Sequence, residues 1–109
     1  MKKPYRIKRT TEIESVLKTG ASTRNRHVRL FWKSNADNKH FRFAMGVSKK
    51  LGNAVTRNKL KRRVRMIVAG QTIRRPDDFF IVLSQGAQHL TFDELKDALE
   101  SALKKSKLI

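Results

Sequence analysis

Hydrophobic positions along the chain fall into short periodic segments that predict helices and strands. The segment 11–19 begins with the capping-box pattern Thr-Glu-Ile-Glu and continues with apolar residues at Ile13, Val16 and Leu17. Gly20 follows as a suitable C′ residue. The pattern therefore predicts a short first helix over residues 11–19.

Two segments that alternate apolar and polar residues predict β-strands. Residues 26–33 have one apolar face and a second face that mixes an aromatic ring with basic residues. Residues 41–49 have one apolar face and a second face of Arg42 and small residues. The segment 34–40 has the composition of a turn, so the two strands most simply form an antiparallel hairpin. The two apolar faces consist of Val28, Leu30 and Trp32 and of Phe41, Phe43, Met45 and Val47.

The last third of the chain predicts one strand and one helix. Residues 78–84, DFFIVLS, are apolar on both faces, which is typical of a central strand. The segment 90–95 combines a second capping box with a hydrophobic staple, and an amphipathic helix continues from it. The order αββαβα predicts a single α+β domain over residues 1–109, a sandwich of helices on one small sheet. Residues 1–9 form a basic N-terminal arm that we expect to be mobile.

The segment 49–66, KKLGNAVTRNKLKRRVRM, holds eight Lys or Arg and no acid. Four apolar residues share one face of a helix that begins in this segment and extends to residue 68, and this stripe is expected to dock the helix on the sheet. Like charges four residues apart cost a few tenths of a kcal/mol each. The helix therefore carries an electrostatic penalty that a bound polyanion would relieve. The stripe consists of Leu60, Val64, Ile67 and Val68.

Three polar or flexible residues interrupt this basic segment. Gly52 and Asn53 tolerate a positive φ and precede the helix, and Asn53 is suited to cap it. Asn58 lies inside the helix, where asparagine has poor propensity, but its amide can bind phosphate, ribose or base. Gly52 is readily explained as a turn residue, whereas for Asn53 and Asn58 a structural and a functional role are about equally supported.

The net charge of +17 indicates a polyanionic partner. Between Ser15 and Pro76 only Asp37 is acidic, so the charge is regional, which favours nucleic acid over a merely solvated surface. A membrane surface is less favoured, because no basic helix here has a broad apolar face. The chain has no cysteine, no apolar run long enough to span a bilayer and no secretory signal. We expect it to act in the cytoplasm.

The motif GNAVTRNKLKRRVR, preceded by SKKL, resembles the signature of the protein subunit of bacterial ribonuclease P. That family carries an Arg-Asn-Arg-type motif on a helix that follows a Gly-Asn turn. Here the motif is Arg57-Asn58-Lys59, which departs from it by one charge-preserving lysine. The resemblance covers nearly the whole chain, including the FFIVLS strand and the final helix.

The resemblance implies a fold similar to the second domain of ribosomal protein S5, with a left-handed βαβ crossover where the general rule predicts a right-handed one. It implies two RNA partners, the catalytic RNA of ribonuclease P and precursor tRNA, and no obligate protein partner. The holoenzyme removes the 5′ leader hydrolytically, with Mg²⁺ required by the RNA-containing assembly and no cofactor held by the protein. The residues implied to bind the catalytic RNA are Lys49, Lys50, Asn53, Arg57, Asn58, Lys59, Lys61, Arg62 and Arg65.

The resemblance also implies a cleft between the first helix and the sheet that contacts the single-stranded leader. Positions that are often Phe in the family are Ile13 and Leu17 here, and neither side chain stacks on a base as a ring does. Phe31 is the remaining stacking candidate, although a core or lid role explains it equally well. Three basic residues either follow the leader phosphates or are simply solvated, so we expect electrostatic contact to dominate stacking. They are Arg29, Lys33 and Arg42.

No residue pattern indicates that the protein itself is the nuclease. His27, His40 and His89 are not at metal-ligand spacing, and the pair Asp77-Asp78 more readily ends a turn than binds a cation. We therefore predict no catalytic residue and no metal site in the chain. Two alternatives remain: a structural or ribosomal-type RNA-binding protein without a role in cleavage, and a nonspecific DNA-compacting protein.

Overall fold

The computed structural model describes residues 5–109, and within that range the chain forms an α+β fold. One mixed sheet of four strands has helices packed on both faces, and 3₁₀ turns cover Lys49–Leu51 and Ala87–His89. The elements are α1 (Thr10–Thr19), β1 (Ala21–Arg24), β2 (Val28–Lys33), β3 (Arg42–Gly46), α2 (Ala54–Ala69), β4 (Asp78–Leu83) and α3 (Phe92–Lys105).

The strand order is β1-β2-β4-β3, which confirms that β4 is a central strand. The strand β4 pairs antiparallel with β2 and parallel with β3. The predicted antiparallel hairpin of β2 and β3 is therefore wrong. The connection between them crosses the start of β4, where the amides of Asn35 and Asn38 donate to the Asp78 carboxylate at 3.0 and 2.7 Å. The most apolar strand takes the position with a neighbour on each side.

The strand β1 is absent from the prediction. Its sequence, ASTR, is short, polar and largely exposed, so it carries no apolar alternation that would indicate a strand. It pairs with β2 as an antiparallel hairpin. The side chain of Asn25 closes the turn by accepting from the N–H groups of His27 and Val28 and also donates to the carbonyl of Ala98 in α3 at 2.9 Å.

The core lies between one face of the sheet and the helices α2 and α3. Side chains alternate along each strand, so Leu30 and Ile81, which are register partners, both point into this core. The four predicted stripe residues of α2 are all buried in it, which confirms that the stripe docks the helix. The strands β3 and β4 flank α2 as a parallel βαβ unit. The handedness of this crossover stays a prediction.

Of the two predicted capping boxes, the structure contains the one in α3 and lacks the one in α1. In α3 the hydroxyl of Thr91 accepts from the N–H of Glu94 at 3.1 Å, and the Glu94 carboxylate accepts from the N–H of Thr91 at 2.9 Å, which confirms that box. The box at the start of α1 is wrong, because the helix begins one residue earlier, with Arg9 as an N-cap that makes no side-chain bond. Thr11 is then already inside the first turn.

Gly20 is required for a reason other than the predicted left-handed C′ geometry. Its φ of −77° and ψ of 161° are extended, a conformation that any residue adopts. A Cβ at this position would lie 2.6 Å from the carbonyl oxygen of Trp32 and would also collide with the carbonyl oxygen of Val16. The end of α1 therefore passes too close to the backbone of β2 for any side chain.

We expect Gly20→Ala to lower the free energy of unfolding by about 1–3 kcal/mol, because two rigid carbonyl groups would have to move. Gly70→Ala is the matched control, since a Cβ there would lie 3.5 Å or more from its neighbours and φ is −82°. Urea denaturation of both variants measures the difference. Equal stabilities would contradict the close approach seen at Gly20.

The described part of the predicted N-terminal arm is anchored. Arg6 forms a parallel bridge with Phe43, the N–H of Ile7 donates to the Phe43 carbonyl at 3.1 Å, and the Ile7 side chain is buried. The rest of the arm, residues 1–4, lies outside the described residues. Among the residues that the structure describes, no helix is both long and apolar enough to cross a bilayer.

Candidate nucleic-acid interface

The entry to α2 is a sharp turn whose residues are fixed by backbone geometry. Gly52 has a φ of 141°, a conformation that glycine tolerates and that disfavours residues with a side chain. Asn53 has an ordinary extended backbone, and its side-chain oxygen accepts from the N–H of Thr56 at 2.9 Å. The predicted N-cap is confirmed, so at least one function of Asn53 is structural.

The rest of the α2 surface consists mainly of closely spaced lysine and arginine side chains. Asn58, Lys59 and Arg62 are exposed, while Arg57, Lys61 and Arg65 are half-buried beside the stripe. Within residues 5–109 no ion pair involves this helix, so no described acid offsets its like-charge repulsion through direct contact. The remaining residues predicted to bind the catalytic RNA, Lys49 and Lys50, are exposed on the preceding 3₁₀ turn.

Two arginines of α2 differ in their hydrogen bonding within the protein. Arg63, which was not among the predicted site residues, donates to the carbonyl of Leu90 at 3.3 Å and so ties α2 to the start of α3. The Nε of Arg57 is buried and has no hydrogen-bond partner among the described residues. Burying an N–H without an acceptor is unfavourable. An acceptor supplied by a bound molecule would remove that penalty at Arg57.

The opposite face of the sheet, which we call the open face, combines aromatic rings with cations. Phe31 in β2 and Phe80 in β4 are register partners, so their half-buried side chains stand side by side. The guanidinium carbon of Arg29 lies 4.8 Å from the ring centroid of Phe31, within cation–π range. Two neighbouring rings beside a cation suit the stacking of unpaired bases.

Phe80 is a site candidate that the sequence prediction missed. The strand β4 is apolar on both faces, which predicted a central strand but did not single out Phe80. In the structure the neighbouring strand has Ala44 beside Phe80 and Gly46 beneath its ring, where a Cβ would lie 3.3 Å from the ring carbons. The small residues Ala44 and Gly46 on the second face of β3 could have indicated that Phe80 is only half-buried. That inference requires knowing that β3 lies next to β4, which the sequence did not reveal.

The helix α1 forms one wall of the open face. Val16 is 1% exposed and holds the helix against the sheet, whereas Ile13 is half-buried and Leu17 is 37% exposed. The ammonium group of Lys33 donates to the Ser15 hydroxyl at 2.7 Å. A groove of about 290 Å³ lies between α1 and the start of β4, and of the residues predicted to line the leader cleft it includes Lys33. Leader binding there stays a prediction.

Arg42 is held by two carboxylates at the end of this groove. Its guanidinium donates to the two Asp78 oxygens at 3.0 and 2.9 Å and also pairs with Glu12 of α1. These hydrogen bonds raise the pKa of Arg42 further. Burial alone would raise the pKa of Asp78, but hydrogen bonds from Arg42, Asn35 and Asn38 outweigh it and lower that pKa below its ordinary value. The predicted phosphate role of Arg42 therefore competes with a structural one.

The possible metal ligands among the described side chains are dispersed or already paired. Within residues 5–109 no three His, Asp or Glu side chains lie close enough together to hold a metal ion. His27 lies in the β1–β2 turn, His40 before β3 and His89 in a 3₁₀ turn before α3. Asp78 is committed to Arg42, and Asp77 is buried and pairs with Arg75 at 3.0 Å.

Two curated proteins and one family model illustrate what this chain is similar to. A family model described as Ribonuclease P matches residues 1–107. The ribonuclease P protein component of Macrococcus caseolyticus is 37% identical over 108 residues, covering 98% of this chain and 94% of that protein. The counterpart from Streptococcus equi subsp. zooepidemicus is 38% identical over 111 residues, covering 100% of this chain and 92% of that protein.

Solved structures give the same result. A ribonuclease P protein from Staphylococcus aureus is 37% identical with a TM-score of 0.88, covering 95% of this chain and 96% of that chain. The ribonuclease P protein from Thermotoga maritima is 24% identical with a TM-score of 0.83, covering 92% of this chain and 96% of that chain, and supports the fold alone.

Proposed function

The chain belongs to the ribonuclease P protein family and is a protein subunit of ribonuclease P, and from this premise we propose how its two surfaces divide the work. The cationic surface of α2 binds the catalytic RNA. The open face binds the single-stranded 5′ leader of precursor tRNA. The assembly cuts the leader endonucleolytically and leaves the mature 5′ end of the tRNA.

One observation carries this proposal: the two surfaces lie on opposite sides of one thin sheet and differ in chemistry. The α2 side offers cations without aromatic rings, which suits the phosphates of a folded RNA. The open face offers paired rings beside Arg29 and Lys33, which suits a flexible unpaired strand. Opposite placement allows one small protein to hold both RNAs at once.

The hydrolytic step belongs to the RNA and its Mg²⁺ ions in this proposal. The carboxylates of Glu12 and Asp78, which lie in the groove, both pair with Arg42 and are therefore poorly placed to bind Mg²⁺ themselves. The protein contributes substrate positioning and charge neutralisation, and the removal of RNA–RNA repulsion supports metal binding indirectly. It acts in the cytoplasm without an obligate protein partner.

A cleavage assay at low Mg²⁺ tests the function directly. Precursor tRNA and bacterial ribonuclease P RNA are mixed with and without the purified protein, and the expected result is faster cleavage with the protein. A protein that binds the RNA but gives no gain in cleavage would be a structural RNA-binding protein. Equal affinity for DNA and for folded RNA would instead support nonspecific DNA compaction.

The α2 surface predicts a specific salt dependence. We expect Arg62→Ala and Arg65→Ala each to weaken binding of the catalytic RNA and to reduce the slope of log affinity against log salt by about one phosphate contact. Lys104→Ala in α3 is the matched control, an exposed lysine outside the α2 surface and the open face. Filter binding over a series of salt concentrations measures the slopes. Slopes that match the Lys104→Ala value would mark both arginines as solvated charge.

A further inference from the structure

A second aromatic and cationic pocket lies outside both surfaces, at the end of the sheet where β3 and β4 begin. Its volume is about 360 Å³, at the lower end of the range of ~300–1,000 Å³ that is usual for small-molecule sites. It is formed by the segment before α1, the end of the β2–β3 connection and the α2–β4 connection. Its chemistry comes from the rings of Tyr5, His40 and Phe41 and from the cations Lys39, Arg74 and Arg75.

The three rings form a continuous cluster that is anchored on the core. The Phe41 ring lies 5.8 Å from Phe79, a fully buried residue of β4. The Tyr5 ring lies 4.8 Å from Phe41 and 4.3 Å from His40, so it forms the outer layer. The neighbouring bridge between Arg6 and Phe43 holds the Tyr5 backbone against the edge of β3. The outer ring is therefore presented on a fixed support.

The cations of the pocket are of two kinds. Arg75 is committed, because it pairs with Asp77 and donates to the Ser106 carbonyl at 2.9 Å. Lys39 and Arg74 are exposed, and neither forms an ion pair within residues 5–109. The Arg74 backbone is fixed by its N–H, which donates to the Leu108 carbonyl at 2.7 Å. No acidic residue lines the pocket among the described residues.

We propose that this pocket binds one unpaired nucleotide of an RNA, with the base stacked on Tyr5 and the phosphate held by Lys39 and Arg74. A ring platform beside uncommitted cations is the arrangement that recognises single-stranded nucleic acid. The pocket is separate from the leader groove, which lies on the open face, and from the α2 surface. The inference rests on the proposed function for its RNA partners, which are the catalytic RNA or precursor tRNA.

Adenosine 5′-monophosphate is the probe for the pocket itself, titrated into the full-length ¹⁵N-labelled protein. We expect saturable shifts of the amides of Phe41 and Arg74 in the wild type and in Tyr5→Phe, which keeps the ring. In Tyr5→Leu the affinity should fall about 5- to 150-fold, the range for one stacked base. Full reproduction of the shifts by inorganic phosphate, or equal affinity in Tyr5→Leu, would overturn the proposal.

A charge variant keeps the proposal testable if Tyr5→Leu proves unstable. Arg74→Gln alters an exposed side chain and should weaken nucleotide binding several-fold, whereas Lys104→Gln on the exposed surface of α3 should not. Equal effects of the two variants would show a general charge effect and would overturn the site. Neither measurement uses the holoenzyme, so this inference can fail while the cleavage assay succeeds, and the reverse also holds.

Binding measurements with the two RNA partners then determine which RNA supplies the nucleotide. Affinity of Tyr5→Leu and Tyr5→Phe is measured for the catalytic RNA alone and, in the holoenzyme, for precursor tRNA. A loss confined to Tyr5→Leu in the first measurement assigns the nucleotide to the catalytic RNA, and a loss confined to the second assigns it to precursor tRNA. The absence of any loss in both measurements would overturn the proposal.

Discussion

Replacing Arg42 with alanine should lower the free energy of unfolding by about 3–5 kcal/mol, the range for breaking a buried ion pair by removing one partner. The change leaves the buried Asp78 carboxylate with only two amide donors and frees Glu12 of α1. Urea denaturation of the single variants and of Arg42→Ala/Asp78→Asn gives the coupling energy. Additive losses would show that the pair contributes no mutual stabilisation.

The pH dependence of the same variants gives a second measurement. Because folding lowers the pKa of Asp78, its stabilisation is present above the unfolded pKa of about 4 and is lost as the pH falls through the folded value. Without Arg42 the folded pKa rises, so the acid limb of the stability curve should move to higher pH. Asp78→Asn should remove the contribution of Asp78 to the loss of unfolding free energy at acid pH. If neither variant changes that loss, the Arg42–Asp78 pair does not stabilise the fold as described.

The double variant Phe31→Leu/Phe80→Leu should remove most of the affinity that a long 5′ leader adds to precursor tRNA. One stacked base contributes about 1–3 kcal/mol, and the two rings are register neighbours that can each hold one. Leucine keeps an apolar side chain of similar size, so the groove should stay folded. The measurement compares the holoenzyme's affinity for precursor tRNA with a long leader and for leaderless tRNA.

Leaderless tRNA is the internal control for this variant. Its affinity should not change, because the open face would contact only the leader. The single variant Phe31→Ala should show a smaller loss, of about 1–3 kcal/mol in the gain from the leader. Equal losses for the two substrates would indicate a folding defect. If a long leader adds the same affinity in the double variant as in the wild type, Phe31 and Phe80 do not contact the leader and their role is structural.

Local signals in the sequence were sufficient for the features of α2 and α3. The α2 stripe, the positive φ of Gly52, the Asn53 cap and the Thr91 capping box depend on residues within a few positions of each other. Such short-range determinants can be identified without the fold. The box at Thr11 failed because the N-cap lies two residues earlier, at Arg9, and the start of a helix is defined only to within one or two residues.

The features that sequence reasoning missed depend on long-range neighbours. Whether Phe80 is buried or half-exposed depends on which strand lies beside it, and a pattern that is apolar on both faces cannot show this. The pairing of Arg42 with Asp78 joins residues 36 positions apart. The strand order itself was mispredicted because consecutive strands usually pair, and here β4 comes between them.

The position of β4 in the sheet has a consequence for synthesis on the ribosome. Of the four described strands, β4 comes last in chain order, and it is the neighbour of both β2 and β3 in the sheet. Until Leu83 has left the exit tunnel, the nascent chain can form only the β1–β2 hairpin, and an isolated hairpin is at best marginally stable. The basic segment of α2 thus emerges before β4, the central strand of the sheet against which its apolar stripe packs.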